Sequence, residues 1–232
     1  MKILHRITEL LFPFKIKCVF CGNDIHTESR YLVCDECRLS IPYNNGKMCQ
    51  KCGKPLGEYN CPNCLHTKHY FKMARAPLIY KDTVLRAIHD FKFNNMSDKA
   101  IGFAEFIYDT YMSFNTKFDA IVAVPLHSKR LRKRGYNQSH KLLLALNQKI
   151  HLTDLSHYVT RVKDTSPQSS LNREDRFKNV KSAFAVVDNQ FKDKTILVID
   201  DVVTTMATVN ALCKELKSAG AKDIYVLSIA HG

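Results

Sequence analysis

The sequence predicts an α/β protein, a parallel sheet flanked by helices, preceded by a small cysteine-rich module. Two patterns carry that expectation. From residue 71 to the end, short aliphatic runs alternate with longer stretches of helical periodicity, as strands do when crossover helices cover both faces of a sheet. Before residue 71, eight of the nine cysteines fall into four Cys-x-x-Cys pairs, and periodic apolar runs are missing. The domain boundary is therefore set between residues 1–70 and 71–232.

The 232 residues, 45% of them hydrophobic, suffice for a packed core. A net charge of +13 favours polyanions as partners: nucleic acid, phosphorylated metabolites or an anionic surface. Ten Lys and Arg stand against six Asp and Glu in residues 1–70, and eight thiolates holding two Zn²⁺ would bring that segment close to neutrality. The basic excess then belongs to residues 71–232. No stretch approaches the roughly 18 to 20 apolar residues that span a bilayer. The opening "MKILHRITELLFPFK" is interrupted by Arg6 and Glu9 and followed by no small-residue cleavage site, so we expect an amphipathic lead-in that packs on the body rather than a signal peptide.

Cys18 with Cys21, Cys34 with Cys37, Cys49 with Cys52, and Cys61 with Cys64 have the spacing of knuckles that aim two thiolates at one tetrahedral ion. Gly22 and Gly53, each just after a knuckle, suit the positive φ such turns favour. A disulfide scaffold would want a secretory signal, and a redox dithiol would not need four copies. Two structural zinc ions are expected, paired consecutively as 18, 21, 34, 37 and 49, 52, 61, 64; an interleaved pairing requires longer reach. With little core of its own, this module should depend on metal to fold. Cys213 stands alone on the apolar side of a helix, as a core residue would.

In the second domain the pattern predicts a strand at 74–80, helices at 83–93 and 97–113, and a strand at 118–125. A basic turn, a helix at 135–149, the strand "HYVTRV", a polar loop and "FAVV" follow. Then come the strand "TILVI", a helix over 206–218 ending near Gly220, and the last strand "DIYVLSIA". In such sheets ligands bind beyond the carboxyl ends of the strands.

The acid pair Asp200 and Asp201 is expected at such an end, emerging into the crevice, where it can be solvated, accept hydrogen bonds from hydroxyls or hold Mg²⁺. The turn after it opens a helix whose amides favour a phosphate, with hydroxyls from Thr204, Thr205 and Thr208. Met206 occupies a place where glycine would be expected. Either it takes helical φ and points away, or the turn is reshaped.

Lys129, Arg130, Arg132, Lys133 and Arg134 concentrate charge after the 118–125 strand, at greater density than one pyrophosphate requires. Single-stranded nucleic acid is the second candidate ligand, and a solvated basic face the plain alternative. Tyr136 beside them can stack a base or simply pack. His127 can touch a phosphate or sit neutral in its loop. In the polar loop, Arg161, Lys163, Arg173, Arg176 and Lys178 alternate with Asp164, Glu174 and Asp175, the composition of a mobile segment.

"ILVIDDVVTTMAT" resembles the phosphoribosyl pyrophosphate (PRPP) motif of type I phosphoribosyltransferases. With "VPLHSKRLRKRGYNQS" and "RVKDTSPQSSLNREDRFKNVKSAF", nearly the whole chain resembles the ComF family of late competence proteins, in which a double zinc ribbon precedes a phosphoribosyltransferase-like domain. The resemblance implies PRPP bound with Mg²⁺. Asp200 and Asp201 would take the ribose hydroxyls, and Thr204, Thr205, Ala207 and Thr208 would surround the 5′-phosphate. Val124, Pro125, Leu126, His127 and Ser128 would form the pyrophosphate loop, and residues 163–183 a mobile loop closing over the ligand. It further implies a place in the cytoplasm or at the inner face of the membrane, single-stranded DNA as a partner, and a DNA-translocating ATPase, ComFA, as another.

No catalytic base or acceptor pocket is legible. Phosphoribosyl transfer can rely on positioning and on stabilised pyrophosphate, so an active transferase of nucleotide metabolism stands beside a competence factor that uses the domain as a binding platform. The competence factor is the reading the sequence favours, with the active transferase as its alternative; a zinc-organised adaptor, the third possibility, is compatible with the competence role.

Overall fold

The computed structural model describes residues 16–25, 31–57, 60–65, 67–164, 180, 182–187 and 189–232. The lead-in, residues 1–15, and most of the expected mobile loop, including Arg173, Glu174, Asp175, Arg176 and Lys178, lie outside them.

The cysteine-rich segment contains strands β1 (Ile16–Lys17) and β2 (Asp24–Ile25), paired antiparallel, and helix α1 (Asp35–Ser40). Beyond it run β3 (Met73–Arg75), β4 (Leu78–Ile79), α2 (Asp82–Phe93), α3 (Lys99–Met112) and β5 (Ala120–Ala123). Next are α4 (Ser128–Arg134), α5 (Gln138–Ile150), β6 (Thr153–Asp154), β7 (Val159–Arg161) and β8 (Phe184–Val186). The chain closes with β9 (Thr195–Val203), α6 (Ala207–Ser218) and β10 (Asp223–His231).

The main sheet has the order β3-β10-β9-β5-β6 with β4 also on β10, and each of these pairings is parallel. Its central strands carry the aliphatic runs because both faces are buried. Leu197 and Ile199 of β9 pack into one hydrophobic cluster with α2, α3 and α5, while Ile196 and Val198 pack into another with α6. Cys213 is fully buried in the second cluster, as expected of a core thiol.

Four details differ from the expectation. The 74–80 strand is two short ones, broken at Ala76–Pro77, because Pro77 has no N–H to give a ladder. The basic turn is a helix, α4, whose Arg, Leu and Lys residues are good helix formers; the His127 ring accepts from the Lys129 amide at its start, and Gly135 at φ 82° ends it. "HYVTRV" contributes only Val159–Arg161, which leaves the main sheet to pair antiparallel with β8. The sheet edge is instead β6, two residues too short for sequence periodicity to reveal.

The cysteine-rich segment is packed onto both sides of this sheet. Its first half joins the α3 side: Phe20 lies edge-on to Phe103 and Phe106. Val19 comes so close that a Cβ at Gly102 would meet it at 2.9 Å. Its second half joins the α6 side, where Cys49, Cys52 and Cys61 share a cluster with Met206 and Val209.

Candidate functional site

The two thiolate sets form as consecutive pairs. Cys18, Cys21, Cys34 and Cys37 bring their sulfurs within 4.8 Å of one another, and so do Cys49, Cys52, Cys61 and Cys64. The Sγ–Sγ separations of 3.7 Å (Cys21–Cys34), 3.6 Å (Cys49–Cys64) and 3.4 Å (Cys52–Cys61) match the roughly 3.8 Å edge of a tetrahedron with Zn–S bonds of about 2.3 Å. Gly22 and Gly53 take φ of 79° and 71°. A zinc bound by four thiolates is a dianion, and each set has one cation from the second domain beside it. Lys99, 7% exposed, donates to the Val19 carbonyl at 2.6 Å beside the first set. Arg75 donates to the Gln50 carbonyl at 3.0 Å beside the second. Burial lowers both cations' pKa values, against the opposing pull of Asp90 and then Cys18 on Lys99 and of Cys49 and Cys52 on Arg75. The donor chemistry fits two structural zinc ions.

A cleft of about 560 Å³ opens at the carboxyl end of the sheet. Its floor follows from unequal strand lengths. On one side β5 accompanies β9 only to Ile199, whereas on the other β10 accompanies it to Val203. From Asp200 onward, therefore, one edge of β9 is open. This corrects the expected strand end: the acid pair lies within β9, not beyond it, and Asp200 is 8% exposed rather than solvated. An Asp200 carboxylate oxygen accepts from Ser139 Oγ at 3.0 Å and from the Asp201 amide at 2.9 Å. Burial, then repulsion from Asp201, pushes its pKa up to about 7 against the attraction of Lys92. Asp201 pairs with Lys92 at 2.8 Å.

Thr204 and Thr205 form the turn after β9, and Met206 caps α6 at φ 65° and ψ 2°. The backbone thus keeps the left-handed conformation natural to glycine. Met206 is 2% exposed and packs inward. Thr204, Thr205 and Thr208 line the cleft; Ala207, buried, has only its amide to offer.

The basic segment divides. Arg130 and Arg134, one helical turn apart, line the cleft together with Leu126. Lys129, Arg132 and Lys133 are exposed on the outside of α4. The Arg134 guanidinium lies 4.8 Å from the centre of the Phe93 ring. Of the expected pyrophosphate loop, Val124 and Leu126 line the cleft, whereas Pro125, His127 and Ser128 are not among its lining residues and Ser128 already opens α4. His127, Lys129 and Arg130 each stand 3.8 Å from the Asp164 carboxylate. Tyr136 needs correction as a nucleic-acid contact: it is a core residue, 9% exposed, and its hydroxyl donates to the Phe91 carbonyl, so its ring is not available to a base.

Sequence reasoning missed Lys92, Ser139 and the cleft-lining role of Arg161. Ser139 ends and Arg161 begins a stretch that carries the family resemblance, but neither stretch says that the side chain reaches the cleft; Lys92 carries no motif, and each comes from an element distant in sequence from β9. Among the described residues, no helix is long and apolar enough to cross a membrane.

Residues 7–66 match the model of the double zinc ribbon domain. Competence protein F of Haemophilus influenzae is 32% identical over 94% of this chain and 98% of its own. Competence protein ComFC of Streptococcus pneumoniae is 29% identical over 93% of this chain and 100% of its own. DNA utilization protein YhgH of Salmonella typhi is 28% identical over 85% and 89%. Among solved structures, a purine phosphoribosyltransferase from Pyrococcus horikoshii aligns with 58% of this chain and 82% of its own at 17% identity and a TM-score of 0.34, too loose a likeness to argue from. With two sets of four thiolates in a double zinc ribbon segment and a competence protein 32% identical over nearly the whole of both chains, the chain belongs to the ComF family.

Proposed function

We propose that this protein is a cytoplasmic competence factor whose phosphoribosyltransferase-like domain binds PRPP in the β9–α6 cleft and handles single-stranded DNA on its basic face. The observation that carries the reading is the sequence of groups along one open strand edge: two carboxylates, three threonines, a left-handed turn and the amino end of a 12-residue helix. Carboxylates suit vicinal ribose hydroxyls, and the helix end suits a phosphate. Arg130 and Arg134 on the opposite wall suit a pyrophosphate, with Mg²⁺ supplying further charge neutralisation when bound. The exposed Lys129, Arg132 and Lys133 remain outside the cleft for a nucleic-acid backbone. Association with a DNA-translocating ATPase fits the same role.

Calorimetric titration of PRPP, with and without Mg²⁺, tests the first part; competition by a single-stranded oligonucleotide tests the second. Binding of PRPP that the oligonucleotide leaves undisturbed would assign the two ligands to separate faces. No PRPP binding in either condition would sink the cleft assignment. Release of pyrophosphate on adding free bases would instead favour the active transferase.

A further inference from the structure

We infer that Asn63, inside the second zinc knuckle, is a positioning residue for the phosphate turn, so that the second ribbon is a working part of the cleft. This rests on the proposed reading of that turn as a phosphate site. Asn63 lies between ligands Cys61 and Cys64 and is 5% exposed. Its amide donates at 2.7 Å to the carbonyl of Thr204, the first residue after β9. On the knuckle side, His69 Nε2 stands 3.2 Å from the Asn63 carbonyl and 3.4 Å from Cys64 Sγ, which ties the asparagine's backbone to the metal ligands.

The same ribbon grips the turn's two flanks. Asn210, in the first helical turn of α6, accepts from the Tyr70 amide at 2.8 Å and donates to the Lys68 carbonyl at 2.9 Å. Lys54 donates to the Gly232 carbonyl at 2.9 Å, and the Gly232 amide donates to Val203 at 2.9 Å. Between these flanks sits Met206, a methionine in a left-handed conformation that its own side chain disfavours. Strained backbone persists only where its surroundings over-determine it. The ribbon supplies those surroundings: Met206 packs in the cluster of Cys49, Cys52 and Cys61, and Asn63 holds the carbonyl two residues ahead of it.

The test uses the full-length, reduced, zinc-loaded protein with Asn63→Asp, which keeps shape but sets an acceptor against the Thr204 carbonyl, and Asn63→Ala, which only removes the donor. Zinc content and amide exchange at 203–208 are measured without ligand, then binding of ribose 5-phosphate and of inorganic pyrophosphate. Two zinc ions should remain, and exchange at the turn should quicken by about tenfold or more while that of residues 121–123 is unchanged. Ribose 5-phosphate affinity should fall about 3- to 10-fold, with pyrophosphate affinity held within about twofold. If the Asp variant loses zinc, the Ala variant decides. Turn exchange equal to wild type overturns the inference, as does loss of zinc from both variants, since Asn63 would then serve the knuckle alone. Should wild type bind no ribose 5-phosphate, the phosphate reading fails, and exchange at the turn still decides whether Asn63 holds it.

Discussion

The ammonium of Lys92 lies 2.8 Å from the Asp201 carboxylate, with less than a fifth of either side chain exposed. Lys92 comes from α2 and Asp201 from the interior of β9, so this pair joins the two walls of the cleft. It also offsets the repulsion between adjacent carboxylates, which in a partly dry site is much stronger than in water. Replacing Lys92 with Met should destabilise the ligand-free protein by about 1–3 kcal/mol at pH 8, because a partly buried charge is left unpaired. Denaturant titration checks this, and millimolar Mg²⁺ should recover part of the loss if the acid pair accepts a cation.

Asp200 gives the cleft a defined pH dependence. Its proton is held up to about pH 7 in the folded chain, whereas an unfolded carboxylate loses it near about 3.9. This group's contribution to stability is therefore full below about pH 4 and is lost as pH rises through about 7. Asp200→Asn mimics the protonated form, so the variant should melt above wild type at pH 8, by less at pH 5, and close to it only at about pH 4 or below. A melting difference independent of pH would contradict the assignment. A cation that requires ionised Asp200 should displace a proton at pH 6, seen as a buffer-dependent binding heat.

Met206 allows a test of strain against packing. Both Met206→Gly and Met206→Ala empty a buried site and should destabilise by about 2–5 kcal/mol. Glycine nonetheless should be the better tolerated by about 1 kcal/mol, because only it relieves the positive φ. Equal or reversed costs would mean that the turn relaxes out of the left-handed region. Since the backbone already has glycine's conformation, neither variant should tighten PRPP binding.

The two faces of α4 should separate by function. Arg130→Ala with Arg134→Ala should abolish PRPP binding and reduce oligonucleotide affinity little. Lys129→Ala, Arg132→Ala and Lys133→Ala together should spare PRPP and lower the salt slope of single-strand binding by about 0.7 for every phosphate no longer neutralised. An unchanged slope would leave these three as a solvated face.

Two zinc ions per chain are expected by elemental analysis, one for each thiolate set. Cys18→Ser should lower the melting temperature of the whole protein in a single transition, because Val19 and Phe20 pack in the same cluster as Phe103, Ile199 and Leu227. The sequence, showing little core between the knuckles, suggests a module that unfolds alone. A separate early transition in calorimetry would restore that view.

Local chemistry made much of this protein legible in the sequence. A Cys-x-x-Cys spacing constrains two thiolates to one ion, so the metal sets could be named before any fold was known. Aliphatic runs bounded by turn residues read as strands covered on both faces, and an acid pair followed by threonines and a helix start sets carboxylates, hydroxyls and helix amides in a row whatever surrounds them. Tertiary structure decided what depends on neighbours distant in the chain. Ser139 meets Asp200 across 61 residues and Asn63 meets Thr204 across 141; no periodicity records either. Whether an acid is solvated or dry depends on where an adjacent strand stops, and β5 stops at Ala123. Tyr136 and Met206 could each face either way by sequence. Packing against α2 and the second ribbon turned both inward, because burying their apolar surface outweighs the exposed alternative and, for Met206, the backbone strain as well.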